Sequence, residues 1–144
     1  MAVSFDRKSI TQETAQKMIY AAIQKAREMG VSVGVAVVDT DGVLKAFARM
    51  DGAILLSVRL AQQKAWTAVS SNVPTHRLWE FIKDDPTLLA SLPHQKDMVA
   101  AGGGYPIVVD GRMIGGIGAS GAHYTRDQLC AQAGLAAIGA PQES

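Results

Sequence analysis

VSVGVAVVDTDGVLKAFARM, residues 31–50, is the stretch that decides the fold. Val31, Val33, Val35 and Val37 recur at every second position, the period of a strand with one face on a core. Asp41-Gly42 separates that run from VLKAFARM, and an Asp-Gly pair between two β-rich runs signals a tight hairpin. The two strands are therefore expected to pair antiparallel, with no β-α-β crossover between them.

Upstream, Ala15, Met18, Ile19, Ala22, Ile23, Ala26 and Met29 keep helical spacing across residues 11–29, with Thr11 placed to cap the start and Gly30 to stop the end. Downstream, Ile54, Val58, Ala61, Ala65 and Ala68 give a second helix over 53–70, broken at Asn72-Val73-Pro74. Thr75 and Asp85-Pro86 can each open a short helix, and Pro93 closes that region. Residues 84–100 have the weakest periodicity and are expected to lie over the body as a lid. A glycine run at 102–104 leads into YPIVV, Asp110-Gly111 repeats the hairpin signal, and RMIGGIG is the returning strand. Thr125 with Gln128 spells a capping box for a last helix running through Ala133 to Ile138, with Asp127 favouring its first turn.

Hairpins separated by helices must have their sheet faces covered by those helices, so the expected class is α/β of the α+β kind. A single layered domain over residues 1–144 follows, with no repeat and no linker. The bulk numbers agree: 144 residues, 48% hydrophobic, 19% charged and 14 glycines describe a globular chain long enough to bury a core. The net charge is +1 and its 14 Lys and Arg are scattered, which leaves no footprint for nucleic acid. Cys130 is the one cysteine, so no intramolecular disulfide can form and a reducing compartment fits. No C-x-x-C-H or paired C-x-x-C supports attached haem or zinc. The first residues hold no apolar run of signal-peptide length, and no stretch approaches the roughly 18 apolar residues of a membrane span, so a cytoplasmic location without membrane contact is expected.

Three stretches in this order, ARMDGAILLS at 48–57 with AQQKAWTA at 61–68, AGGGYPIVVDG at 101–111, and GGIGASGAHYTRDQ at 115–128, resemble the GlcG/HbpS-like family, a haem-degrading-domain family. The resemblance runs to AQAGLAAI at 131–138. It implies a profilin-like α-β-α sandwich around an antiparallel sheet, assembly into homo-oligomers, roles in haem binding and slow haem degradation, and association with small-molecule catabolism such as glycolate or diol use. A related domain is fused to some corrinoid adenosyltransferases. The chain departs from the family pattern where Ser120-Gly121 continues into Ala122, His123 and Tyr124, and at Pro93-His94-Gln95-Lys96.

Each candidate residue has two readings. Arg49 and Asp51, at the exit of the second strand, can clamp a carboxylate or simply pair with each other. Lys64 sits among Ala61, Ala65 and Ala68, where it can hold an anion, act as a base, or snorkel over apolar surface. Gly102, Gly103 and Gly104 can approach a ligand or form a bulge; a strand follows them, so they are no P-loop. His76, His94 and His123 show no i, i+4 pairing, and no metal site is expected. His94 and His123 lie in the two departing loops and rank above His76, which is expected in solvent, as axial haem ligands or general bases. Tyr124 can serve beside His123 as proton donor or phenolate ligand, or pack at the helix start. Cys130 reads as a small buried hydrophobe, and Trp66 and Trp79 as core or interface anchors.

The leading reading is a small-ligand-binding protein whose pocket joins Arg49, Asp51, Lys64, the glycine run, Ser120 and the 120–124 loop, within one subunit or between two, for a small anionic molecule or for haem, the cofactor that the resemblance implies. The rival is a cofactor-independent lyase or isomerase acting on a small carboxylate or oxygenated metabolite, with His94, His123, Tyr124 and Lys64 in acid and base roles. A structural or regulatory accessory protein is the third.

Overall fold

The computed structural model describes residues 1–142. Helix α1, Gln12–Met29, begins where Thr11 accepts a hydrogen bond from the Thr14 N–H at 3.2 Å and ends at Gly30 in the left-handed conformation. Strands β1, Gly34–Asp39, and β2, Leu44–Arg49, form the first hairpin, followed by α2, Leu55–Ser71. Short helices α3, Thr75–Ile82, and α4, Pro86–Ser91, the latter capped by Asp85, precede a single 3₁₀ turn at Leu92–His94. Strands β3, Gly104–Val109, and β4, Arg112–Ser120, make the second hairpin, and α5, Tyr124–Ala136, closes the order.

The four strands lie in the order β2-β1-β4-β3, antiparallel throughout. The central pair joins the two hairpins, with Gly34 opposite Ser120 and Asp39 opposite Gly115. Helices α1 and α5 cover one face; α2 covers the other. The chain is thus an α+β sandwich of three layers, as the covering argument requires.

Placing β1 in the middle changes its burial from the one-faced pattern expected. Val35 and Val37 face α1 and α5 with Ile117 and Tyr105, while Ala36 and Val38 face α2 with Ala61, Ala65 and Val69. Both faces are dry because both are capped, and full burial of a residue such as Ile117 contributes roughly 1.5–3 kcal/mol. The α2 face is the thinner one. On β4, a Cβ at Gly118 would lie 2.2 Å from the Ala61 carbonyl oxygen, and one at Gly116 would lie 2.7 Å from that of Ala65, so only bare backbone lets α2 seat there.

The two Asp-Gly signals make different turns. Asp110 and Gly111 both have positive φ, 52° and 75°, and Val109 pairs with Arg112 across a two-residue loop. In the first hairpin only Gly42 has positive φ, and the Asp39 carboxylate accepts from the Asp41 and Val43 N–H groups at 2.9 and 3.1 Å, which lengthens the turn. Residues 84–100 are pinned rather than draped. The Thr67 hydroxyl donates to the Asp97 carbonyl at 3.0 Å and accepts from the Val99 N–H at 2.9 Å, fixing the segment's end to α2.

The start of α5 is a correction. Its cap is His123, whose Nδ1 accepts from the Thr125 N–H at 3.3 Å; Thr125 Oγ1 lies 2.9 Å from the same nitrogen, inside the first turn. The Thr125–Gln128 capping box does not form, because the helix already starts at Tyr124 and puts Thr125 inside its first turn, while Asp127 is drawn into the interior.

Candidate functional site

The partner that draws Asp127 inward is Lys64. Its neighbours Ala61 and Ala65 put Lys64 on the buried arc of α2, together with Ser57 and Thr67. Its ammonium donates to Asp127 Oδ2 at 3.0 Å and to the Ala119 carbonyl at 3.2 Å, while Asp127 Oδ1 accepts from the Ala122 N–H at 3.0 Å. The two side chains are 3% and 2% exposed. Helices from opposite faces of the sheet are thereby tied together past the ends of β3 and β4.

Burial opposes both charges. Desolvation lowers the Lys64 ammonium from its ordinary value against the pull of Asp127, and desolvation raises the Asp127 carboxyl against the pull of Lys64 and the Ala122 N–H. The glycine run makes room for the pair. Gly103 has φ +126°, and a Cβ there would lie 2.6 Å from the Ala119 oxygen, 3.0 Å from Lys64 Nζ and 3.1 Å from Asp127 Cβ. Lys64 is thus committed to an internal carboxylate. The sequence held one signal for it: a lysine on an apolar stripe must find an acid, and Asp127 had been assigned only to a helix start.

A cleft of about 490 Å³ opens beside this region, lined by His76, Trp79, Glu80, Ala100, Ala101, Gly102 and Tyr124. Three rings surround a floor of small residues. Trp79 and Tyr124 are 44% and 50% exposed, a large aromatic area to leave in water. The His76 ring tilts against Tyr105 at a centroid distance of 5.7 Å, and its Nδ1 is buried without a hydrogen-bond partner. Beneath it, burial raises the Tyr105 phenol above its ordinary pKa; the amides of Gln128 and Gln132 act in the other direction, though neither completes an aligned hydrogen bond to the hydroxyl. Glu80 pairs with Lys83 at 2.7 Å.

The residues singled out from the sequence fall in separate places. Gly102 and Tyr124 line the aromatic cleft, whereas Gly103 and Gly104 are buried at the lysine, with the Gly104 N–H bonded to Thr75 Oγ1 at 2.9 Å. Ser120 is buried at the end of β4 opposite Gly34. Arg49 and Asp51 line a different cleft, with Ile23, Arg27 and Met50, and among the described residues they form no ion pair with each other. His94 is exposed in the 3₁₀ turn, and His123, its ring 4.1 Å from that of Tyr124, is exposed and capping α5. His76, expected in solvent, is half-buried, and Trp79, expected as a core or interface anchor, lies outside the core as a cleft wall. The missed signal is helical: 76, 79 and 80 are i, i+3 and i+4, one face of α3. Cys130 is buried, and burial pushes its thiol up to about 11, so it stays protonated at neutral pH. Among the described residues no three His, Cys, Asp or Glu side chains could hold a metal ion, and no helix is long and apolar enough to cross a membrane.

Comparison with known proteins follows the same geometry. A family model described as haem degrading protein HbpS-like matches residues 10–136. The chain is 40% identical over 119 residues to the corrinoid adenosyltransferase PduO of Salmonella typhimurium, a match covering 82% of this chain but 35% of that protein. It is 32% identical over 111 residues to protein GlcG of Escherichia coli, covering 77% of this chain and 81% of that one. The crystal structure of a PduOC:haem complex superimposes with a TM-score of 0.87 at 34% identity, covering 94% of this chain and 99% of that one.

Proposed function

This chain belongs to the HbpS-like family of haem-degrading proteins, and from that premise we propose that it binds haem in the cleft lined by His76, Trp79, Ala100, Ala101, Gly102 and Tyr124. One observation carries the reading: three aromatic rings, two of them broadly exposed, stand around a floor of Ala100, Ala101 and Gly102. A flat, apolar ligand needs both features. Trp79 and Tyr124 offer ring faces and edges for stacking, and the floor admits a broad plane that larger side chains would exclude. The PduOC:haem complex, with a closely similar fold, supports the ligand class.

His76 and Tyr124 are the residues that would hold the iron, since imidazole and phenolate are both established axial ligand types. Bound haem would supply iron-centred redox chemistry. The protein's own part is positional. Lys64 and Asp127 hold the Ala119 carbonyl and the Ala122 N–H, two residues before Tyr124, and pack against Gly103 beside the cleft's Gly102. His123 caps α5 and so sets the angle at which Tyr124 enters. The alternative, acid and base catalysis by His94, His123, Tyr124 and Lys64, draws less support because these groups do not converge on one cleft.

Hemin titration monitored at the Soret band tests the reading. A saturable shift is expected for the wild-type protein, with a changed spectrum or at least about tenfold weaker binding in His76→Ala or Tyr124→Phe, the effect of losing about 1.4 kcal/mol. Spectra and affinities unchanged in both variants would place any haem elsewhere.

A further inference from the structure

Two guanidinium groups share one cleft with a single carboxylate that pairs with neither. Arg27 lies in the last turn of α1 and Arg49 ends β2; with Ile23, Met50 and Asp51 they line a concavity of about 370 Å³. That volume lies within the range of roughly 300–1,000 Å³ typical of small-ligand sites. Among the described residues, Arg27, Arg49 and Asp51 have no ion-pair or side-chain hydrogen-bond partner. The wall between them is nevertheless fixed. The Met50 N–H donates to the Val33 carbonyl at 3.0 Å, and Met50 Sδ accepts from the Val33 N–H at 3.4 Å. Three free charged ends on a fixed apolar wall are what a small polar ligand requires.

The charges narrow its chemistry. Two arginines and one aspartate sum to one positive charge, which a monoanion balances. Guanidinium groups only donate hydrogen bonds and an ionised carboxylate only accepts them, so a ligand that satisfies all three offers an anionic acceptor to the arginines, for which a carboxylate is the compact monoanion, and a donor to Asp51. A hydroxyl meets that need and keeps the balance; an ammonium would leave the positive charge unanswered. Ile23 and Met50 accommodate a short apolar stem. The carbonyls at the end of α1 would repel an anion, but those of Ala26 and Arg27 are taken by the Gly30 and Val31 N–H groups.

We propose that this cleft binds a short α-hydroxycarboxylate, with Arg27 and Arg49 holding its carboxylate and Asp51 accepting its hydroxyl. The site is open to water, so affinity of about millimolar strength is expected. It is separate from the aromatic cleft and stands or falls without haem.

The test uses L-lactate as the probe, with propionate lacking the hydroxyl and L-alanine carrying an ammonium in its place, observed through the Met50 methyl in [13C]methyl-methionine-labelled protein. Lactate should shift that methyl saturably, and more tightly than either analogue. Arg27→Gln and Arg49→Gln should each weaken lactate at least about tenfold, and Asp51→Ala should bring lactate and propionate to within about twofold. All three positions are exposed, and circular dichroism checks that each variant is folded. No shift with lactate, a lactate response unchanged in the arginine variants, or propionate or alanine equalling lactate in the wild type would overturn the proposal.

Discussion

Replacing Lys64 with Met while keeping the rest of the chain removes the two bonds from its ammonium, to Asp127 and to the Ala119 carbonyl, and leaves the Asp127 carboxylate with the Ala122 N–H alone. At 3% and 2% exposure neither partner has water to fall back on. Breaking a buried pair by removing one member costs about 3–5 kcal/mol, so Lys64→Met and Asp127→Asn should each lose that amount. For a chain of this length, at about 3 °C per kcal/mol, the melting temperature should fall by about 9–15 °C. The double variant behaves differently. Asn keeps an oxygen for Ala122, Met fills the lysine stem's space, and what remains is a carbonyl deprived of a donor, worth about 1–3 kcal/mol. The double variant should therefore be more stable than either single one, with a coupling energy of at least about 3 kcal/mol. Urea unfolding followed by circular dichroism at one fixed protein concentration measures all four corners of the cycle. Should a single variant fail to fold, recovery of folding in the double variant reports the same coupling. Single losses below about 1 kcal/mol, or additive losses, would refute the picture of a dry pair.

Two further outcomes follow from the same region. Gly103→Ala must place a Cβ at φ +126° within 2.6 Å of the Ala119 oxygen; the backbone strain alone predicts a loss of about 1–3 kcal/mol, or about 3–9 °C in a thermal melt, whereas an unchanged melt would mean that the run is not tightly packed. The Asp127 carboxyl, raised by burial from its ordinary value of 3.8, should titrate above that value in carboxyl 13C NMR, and higher still in Lys64→Met, where the ammonium no longer lowers it. The sign is that of a folded state holding its proton more tightly than the unfolded chain: this group's contribution is fully present below pH 3.8 and is lost as pH rises through the folded value. Titration at or below 3.8 in the wild type would contradict it.

What the sequence determined by itself is what depends on near neighbours in the chain. Periods of 3.6 and 2, a threonine cap before α1, Gly30 after it, Asn72 and Pro74 between α2 and α3, and Asp-Gly between strands all act through local geometry, so elements and hairpins could be read from residues close together. From two hairpins and their intervening helices the three layers followed, because an apolar sheet face must be covered. Motif order added the family. Tertiary structure alone decided which hairpin edges met, and with β1 placed centrally its alternating pattern became burial on both faces. It also decided the partners of charged and polar side chains. Lys64 and Asp127 lie on helices that cover opposite faces of the sheet, and no spacing rule joins them; the glycines of β4 and the 102–104 run bring the helices near enough for the ammonium to pass. With α5 starting at Tyr124, Thr125 falls inside its first turn and His123 is the cap. Arg49 likewise gained Arg27 rather than Lys64 as its neighbour in a cleft, because the last turn of α1 lies beside the exit of β2. Desolvation is the physical reason: a buried charge goes to the partner the fold brings within 3 Å, and which partner that is depends on how layers stack, a property of the assembled chain rather than of any segment in it.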